Sequence, residues 1–154
     1  MEKSEITDIY AYQAIDALLS TSGQPTEAQL AAAARAGFSV VINLALHNDP
    51  RYSLRDEAST VKALGMEYIH IPVQFDAPTE AGLLAFFAAM ADHRDKKIIA
   101  HCAANMRVSA FLGLYRAIRQ GQPIEEAFSL MKTIWQPNPV WAAFISDMLS
   151  KHRH

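Results

Sequence analysis

The sequence predicts an α/β domain: a mostly parallel central sheet of 4–5 strands flanked by about six helices. Two observations lead there. Short apolar runs rich in β-branched residues alternate with longer stretches of helical periodicity, and Gly or Pro punctuates most of the joins. No internal repeat, low-complexity segment or linker interrupts the pattern, so residues 1–154 read as one domain with its core in about 15–150.

Taken in order, the Ala17-Leu18-Leu19 stretch is a short strand that Gly23 and Pro25 break. Thr26 is the N-cap of a helix, with Gln29 three residues on as its capping-box partner, and Gly37 stops it. Phe38–Leu44 (FSVVINL) is a strand apolar enough to be buried on both faces. Leu46–Pro50 is a loop, and Leu54–Leu64 a helix closed by Gly65. Glu67–Val73 is a third strand, with Pro72 at an edge or bend. Thr79 caps a helix over 80–92, where Leu83, Leu84, Phe86, Phe87 and Met90 recur at helical spacing. Lys96–Ala100 is the fourth strand, followed by a central helix from near Val108. Two more helices are expected, Ile124–Trp135 and Val140–Ser150, separated by Gln136-Pro137-Asn138-Pro139.

Composition narrows the function. With 51% hydrophobic and 19% charged residues the chain is globular. A net charge of −2 without a basic block gives no footprint for nucleic acid. No apolar run nears the roughly 20 residues that cross a bilayer, and the N-terminal MEKSEITDIYAY lacks the features of a signal peptide. One cysteine permits no internal disulfide and no cysteine-based metal knuckle. The expectation is a cytoplasmic protein with no metal and no cofactor; oligomeric state is not legible.

The organising stretch is Lys96–Ile118, KKIIAHCAANMRVSAFLGLYRAI. A strand, a tight loop and a helix here aim the loop's N–H groups and the helix's positive end at one spot. That geometry binds oxyanions and favours the thiolate of a cysteine placed there. Cys102 is that cysteine, preceded by His101 and followed by Arg107. The reading is a thiolate nucleophile at the base of an anion cradle built by Ala103, Ala104, Asn105, Met106, Arg107 and Val108. An inert buried thiol is the competing one.

HCAANMRVS resembles the H-C-x-A-G-x-x-R-[S/T] signature of the cysteine-dependent phosphatase superfamily. Ser22-Gly23-Gln24-Pro25, GFSVVINL (37–44) and YIHIPV (68–73) extend the resemblance to the bacterial beta-lactamase-hydrolase-like family of small dual-specificity-like phosphatases. It implies that Cys102 is the nucleophile, His101 helps hold it as thiolate, and Ser109 hydrogen-bonds the thiolate. Asn105 stands where the family has Gly, and Asn is the next best residue for a left-handed backbone. The arginine departs from the pattern: Val108 occupies its slot and Arg107 arrives one residue early, giving C-x4-R. Either the loop is rebuilt so that Arg107 still points inward, or the anion clamp is lost.

The resemblance implies hydrolysis of a phosphorylated substrate through a phosphocysteine, with an aspartic acid protonating the leaving oxygen. Asp76, just after YIHIPV, is the candidate acid and Asp49 the alternative. A non-catalytic relative that binds inorganic oxyanion is the second reading. A rhodanese-like sulfurtransferase, which also uses C-x4-R, is the third. Asn43 is a strand-end residue that could order the loop, and Gln136 and Asn138 read as turn residues or water-positioning groups. Trp135 and Trp141 are expected in the core, and His152 and His154 in a solvated tail. Tyr10, Tyr12 and Tyr52 are possible rim residues.

Overall fold

The computed structural model describes residues 5–46 and 53–153. Its sheet has five strands: β1 (Gln13–Ala14), β2 (Leu19–Ser22), β3 (Val40–Asn43), β4 (Glu67–His70) and β5 (Ile98–His101). They lie in the order β1-β2-β5-β3-β4, all neighbours parallel except β1 with β2. The helices are α1 (Glu27–Arg35), α2 (Glu57–Ala63), α3 (Glu80–Asp92), α4 (Met106–Ile118), α5 (Ile124–Ala127), α6 (Ser129–Ile134) and α7 (Pro139–His152). A 3₁₀ turn, Ile6–Asp8, precedes them.

The predicted α/β class and parallel sheet are those observed. The Thr26–Gln29 capping box is formed, with Gln29 N–H donating to Thr26 Oγ1 at 3.1 Å and Thr26 N–H to Gln29 Oε1 at 2.9 Å. Three details differ. β1 is a two-residue edge with no period to betray it. α4 starts at Met106, two residues before Val108, because Asn105 already makes the turn. The helix expected over Ile124–Trp135 breaks at Phe128, whose ring is drawn into the core beside Gly113. A Cβ on Gly113 would lie 2.3 Å from that ring, so only glycine allows the contact.

Side chains alternate along each strand, and the alternation sorts the core. Val40, Ile42, Ile98, Ala100 and Cys102 join one apolar cluster with α3, α4 and α7, where Phe86, Phe111 and Trp141 are fully buried. Val41 and Ile99 join the other, with Leu30 and Ala33 of α1 and Val61 of α2. Each Val, Leu, Ile or Phe side chain among them contributes about 1.5–3 kcal/mol by leaving water. The same alternation sends Cys102 toward the α4 face and leaves His101 in phase with Ile99, on the face of α1 and α2. Because β2, β5, β3 and β4 are parallel, their C-terminal ends lie on the same side of the sheet as the loop after β5.

Candidate active site

The loop after β5 is built by what surrounds it. Asn105 adopts φ 65°, ψ 5°, the left-handed conformation expected of the residue in the glycine position. It is the N-cap of α4, yet its side chain does not cap. Instead its Nδ2 donates to Ala11 O (3.0 Å) and Thr21 Oγ1 (2.9 Å), tying the loop to β2 and the segment before it. The first intrahelical bond is Ser109 N–H to Asn105 O at 3.0 Å. The N–H groups of Met106, Arg107 and Val108 therefore lack intrahelical acceptors, the arrangement that receives an anion.

Residues 22–25 form the loop's opposite wall. Cys102 N–H donates to Ser22 O (3.3 Å), Gln24 N–H to Ala103 O (3.0 Å) and Gly23 N–H to Tyr10 O (2.7 Å), and Gly23 bridges Ala104. A Cβ on Gly23 would come within 2.5 Å of Ala103 O and 2.7 Å of Tyr10 Cδ2. Glycine is required because two backbones touch there. Cys102 itself is a free thiol, 1% exposed at the base of the loop.

His101 is fully buried, and its Nε2 lies 2.5 Å from Glu57 Oε2, also fully buried. Its Nδ1 faces Cys102 O at 3.3 Å. Glu57 Oε1 accepts from Gln24 Nε2 at 2.8 Å. Glu57 is the site residue that sequence reasoning missed. An acid in the first turn of a helix ordinarily faces water, and its partner lies 44 residues away.

Arg107 points inward despite its early position. It is 9% exposed, and Nη1 donates to Val73 O at 2.8 Å. This joins the Cys102 loop to the β4–α3 connection that carries Asp76. Asp76 is exposed on the turn closed by Ala77 N–H and Gln74 O at 3.2 Å. Val108, in the usual arginine slot, is wholly buried in the core and offers the cradle its backbone alone. Ser109 differs from expectation: its hydroxyl donates to Met106 O (2.9 Å) and accepts from Trp135 Nε1 (3.2 Å). It braces the first turn of α4, and no hydrogen bond joins it to Cys102 among the described residues.

Around this centre, Asn43 Nδ2 donates to the Tyr68 hydroxyl (3.0 Å) and its Oδ1 accepts from Ala45 N–H (2.9 Å), so it orders the segment after β3. Burial outweighs the Asn43 bond and, with smaller repulsion from Glu57 and Asp56, pushes the Tyr68 phenol well above the usual tyrosine range. Trp141 is buried, as predicted, and its Nε1 donates to Phe75 O at 2.6 Å. Trp135 is half-buried and stacks at an angle on Phe75, 5.5 Å between centroids. The two indoles thus pin both loops of the site. Asn138 caps α7 through Trp141 N–H (3.0 Å), the turn role, and Gln136 is exposed. Tyr10 rims the loop, and Tyr12 pairs with Ser20 at 2.8 Å. His152 is not a free tail: it pairs with Glu80 at 2.6 Å. Asp49, Tyr52 and His154 lie outside the described residues.

A cysteine under a left-handed turn, at a helix N-terminus with an inward arginine, on a parallel α/β sheet, is the arrangement of the protein tyrosine phosphatase superfamily. The chain belongs to the family described as "DSP-PTPase phosphatase fused to NAD+ Kinase", whose model matches residues 2–139. Among solved structures, a DUF442 protein from Shewanella putrefaciens is 34% identical, with 97% of each chain covered and a TM-score of 0.85. Tk-PTP in its active form is similar in fold at 21% identity, covering 92% of this chain and 97% of that one, with a TM-score of 0.76. PTPMT1 in complex with PI(5)P is also similar in fold, at 15% identity, 92% and 96% coverage and a TM-score of 0.77. Among curated proteins, none matches.

Proposed function

We propose that this chain hydrolyses phosphomonoesters through a phosphocysteine on Cys102. What supports the reading is the first turn of α4, whose N–H groups lack intrahelical acceptors, together with the buried Arg107 of the same turn. The Cys102 thiolate attacks phosphorus and the bond to the ester oxygen breaks. Asp76 gives that oxygen its proton, a step typically worth about 10²–10⁴ in rate. Water then attacks the phosphocysteine, Asp76 takes back a proton, and phosphate leaves the regenerated thiolate. The N–H groups and the Arg107 fork hold the equatorial oxygens as charge develops.

The early arginine fits because the loop is one residue shorter than the usual pattern, and Arg107 Nη1 is free to exchange Val73 O for a phosphate oxygen. The same bond favours a second reading, a phosphate- or oxyanion-binding relative in which Arg107 stays tied to the backbone. The sulfurtransferase reading rested on loop length alone, and that length occurs here in a chain of a phosphatase family. Among the described residues no helix is long and apolar enough to cross a membrane. A cytoplasmic setting, where a lone thiol stays reduced, completes the proposal.

Hydrolysis of p-nitrophenyl phosphate and a phosphotyrosine peptide, before and after Cys102→Ser, tests it. Turnover that disappears in the variant while tungstate still binds is the expected result. Turnover that survives Cys102→Ser refutes the nucleophile, and oxyanion binding without turnover in the parent protein establishes the second reading.

A further inference from the structure

We infer that Glu57 is a positioning residue for Cys102, holding His101 as an imidazolium under the catalytic loop. The inference rests on the proposed role of Cys102 and goes one residue layer further.

Both ring nitrogens of His101 face oxygen acceptors, Glu57 Oε2 at 2.5 Å and Cys102 O at 3.3 Å. A neutral imidazole carries a single N–H, so beside a carboxylate it would set one nitrogen lone pair against an oxygen lone pair. Only the doubly protonated ring donates to both. Gln24 Nε2 donates to Glu57 Oε1 at 2.8 Å and fixes the side chain that faces His101. The pair is wholly buried, so water does not dilute the interaction.

The consequence reaches the nucleophile in two ways. The imidazolium belongs to the residue before Cys102 and, as a positive charge beside the loop, favours a negative sulfur. The Nδ1–H also holds the Cys102 carbonyl toward the α2 side, leaving the peptide N–H groups that follow to face the anion. Gln24 lies in the segment whose backbone grips Ala103 O, so one stretch steadies both the loop and its charge partner. The other groups near Glu57 do not replace it. Asp56 has the wrong sign and is occupied in capping α2, while Tyr68 on β4 stays protonated and Asn43 on β3 is neutral.

The test is the rate of Cys102 alkylation by iodoacetamide against pH, in the parent protein and in Glu57→Gln. A glutamine of the same shape can keep a hydrogen bond to Nε2 but cannot hold the second proton. The expected result is alkylation about tenfold slower at pH 7, with the profile displaced to higher pH. An unchanged profile in folded Glu57→Gln overturns the inference. Should that variant fail to fold, ¹⁵N spectra of the parent protein decide: protons on both His101 ring nitrogens support it, and a bare ring nitrogen overturns it. Neither measurement needs turnover. Loss of the Glu57 effect in an active phosphatase sinks this inference alone, and a Glu57 effect in a protein without turnover sinks only the hydrolase reading.

Discussion

Gly23→Ala tests how the segment before α1 shapes the site. The added methyl lands 2.5 Å from Ala103 O and 2.7 Å from Tyr10 Cδ2, where real Cβ contacts essentially never fall below 3.0 Å. Ala103 O is backbone and cannot rotate away, so either it or the Gly23 segment retreats by about 0.5 Å, the gap between 2.5 and 3.0 Å. Overpacking of this kind costs about 1–3 kcal/mol. The retreat also strains the Gln24 N–H to Ala103 O bond and re-aims the loop, where a misplacement of about 1 Å can cost 10²-fold in rate. The assay pairs urea denaturation with kcat/KM on p-nitrophenyl phosphate. We expect stability to fall by about 1–3 kcal/mol and kcat/KM by at least about tenfold. A variant within about 0.5 kcal/mol of the parent, the ordinary range for surface changes, and with unchanged kcat/KM refutes the close-approach argument.

Other predictions follow from single residues. Asp76→Asn should slow hydrolysis of alkyl or phenyl phosphates by about 10²–10⁴ and of p-nitrophenyl phosphate much less, because a good leaving group needs little protonation. Equal losses on both would remove Asp76 from the acid role. Asn105→Ala should destabilise the fold more than Asn105→Gly by about 1–2 kcal/mol, since both lose the bonds to Ala11 and Thr21 but only alanine is strained at φ 65°; equal melting temperatures would contradict this. Tyr68, whose ionisation burial pushes up, should stay protonated above pH 10 while the chain remains folded. A group with a raised folded pKa lends stability below its unfolded value and withdraws it as pH rises, so Tyr68→Phe should lessen the loss of stability between about pH 10 and 11. Identical alkaline profiles would be the adverse outcome.

How legible the molecule was from sequence depends on whether a residue's role is local. The strands expected over Phe38–Leu44 and Lys96–Ala100 announced themselves through the apolar runs Val40–Ile42 and Ile98–Ala100, as strands buried on both faces require. The Thr26 cap and the Asn105 turn were legible because each is set by residues within a few positions. The loop that follows Cys102 was legible as a motif, and Gly23 as part of a second one whose purpose emerged only from the contact with Ala103. Glu57 was hidden because its burial is a product of topology: parallel pairing brings the end of β5 under the start of α2. The hydrogen bonds of Ser109 were hidden for a related reason. A helix places its hydroxyl over the preceding turn, and the Trp135 indole that fixes it arrives from α6 and the following turn. Phe128 broke a helix that its neighbours would have continued, because Gly113 on α4 left room for its ring.

The central claim is that phosphoryl groups pass through Cys102. The most direct measurement is rapid acid quench of the protein during turnover of a phosphoester, followed by peptide mass spectrometry. The account predicts one phosphoryl group on the peptide containing Cys102, absent without substrate and absent in Cys102→Ser. Turnover with an unmodified Cys102 peptide, or with the phosphoryl group on another side chain, would contradict it.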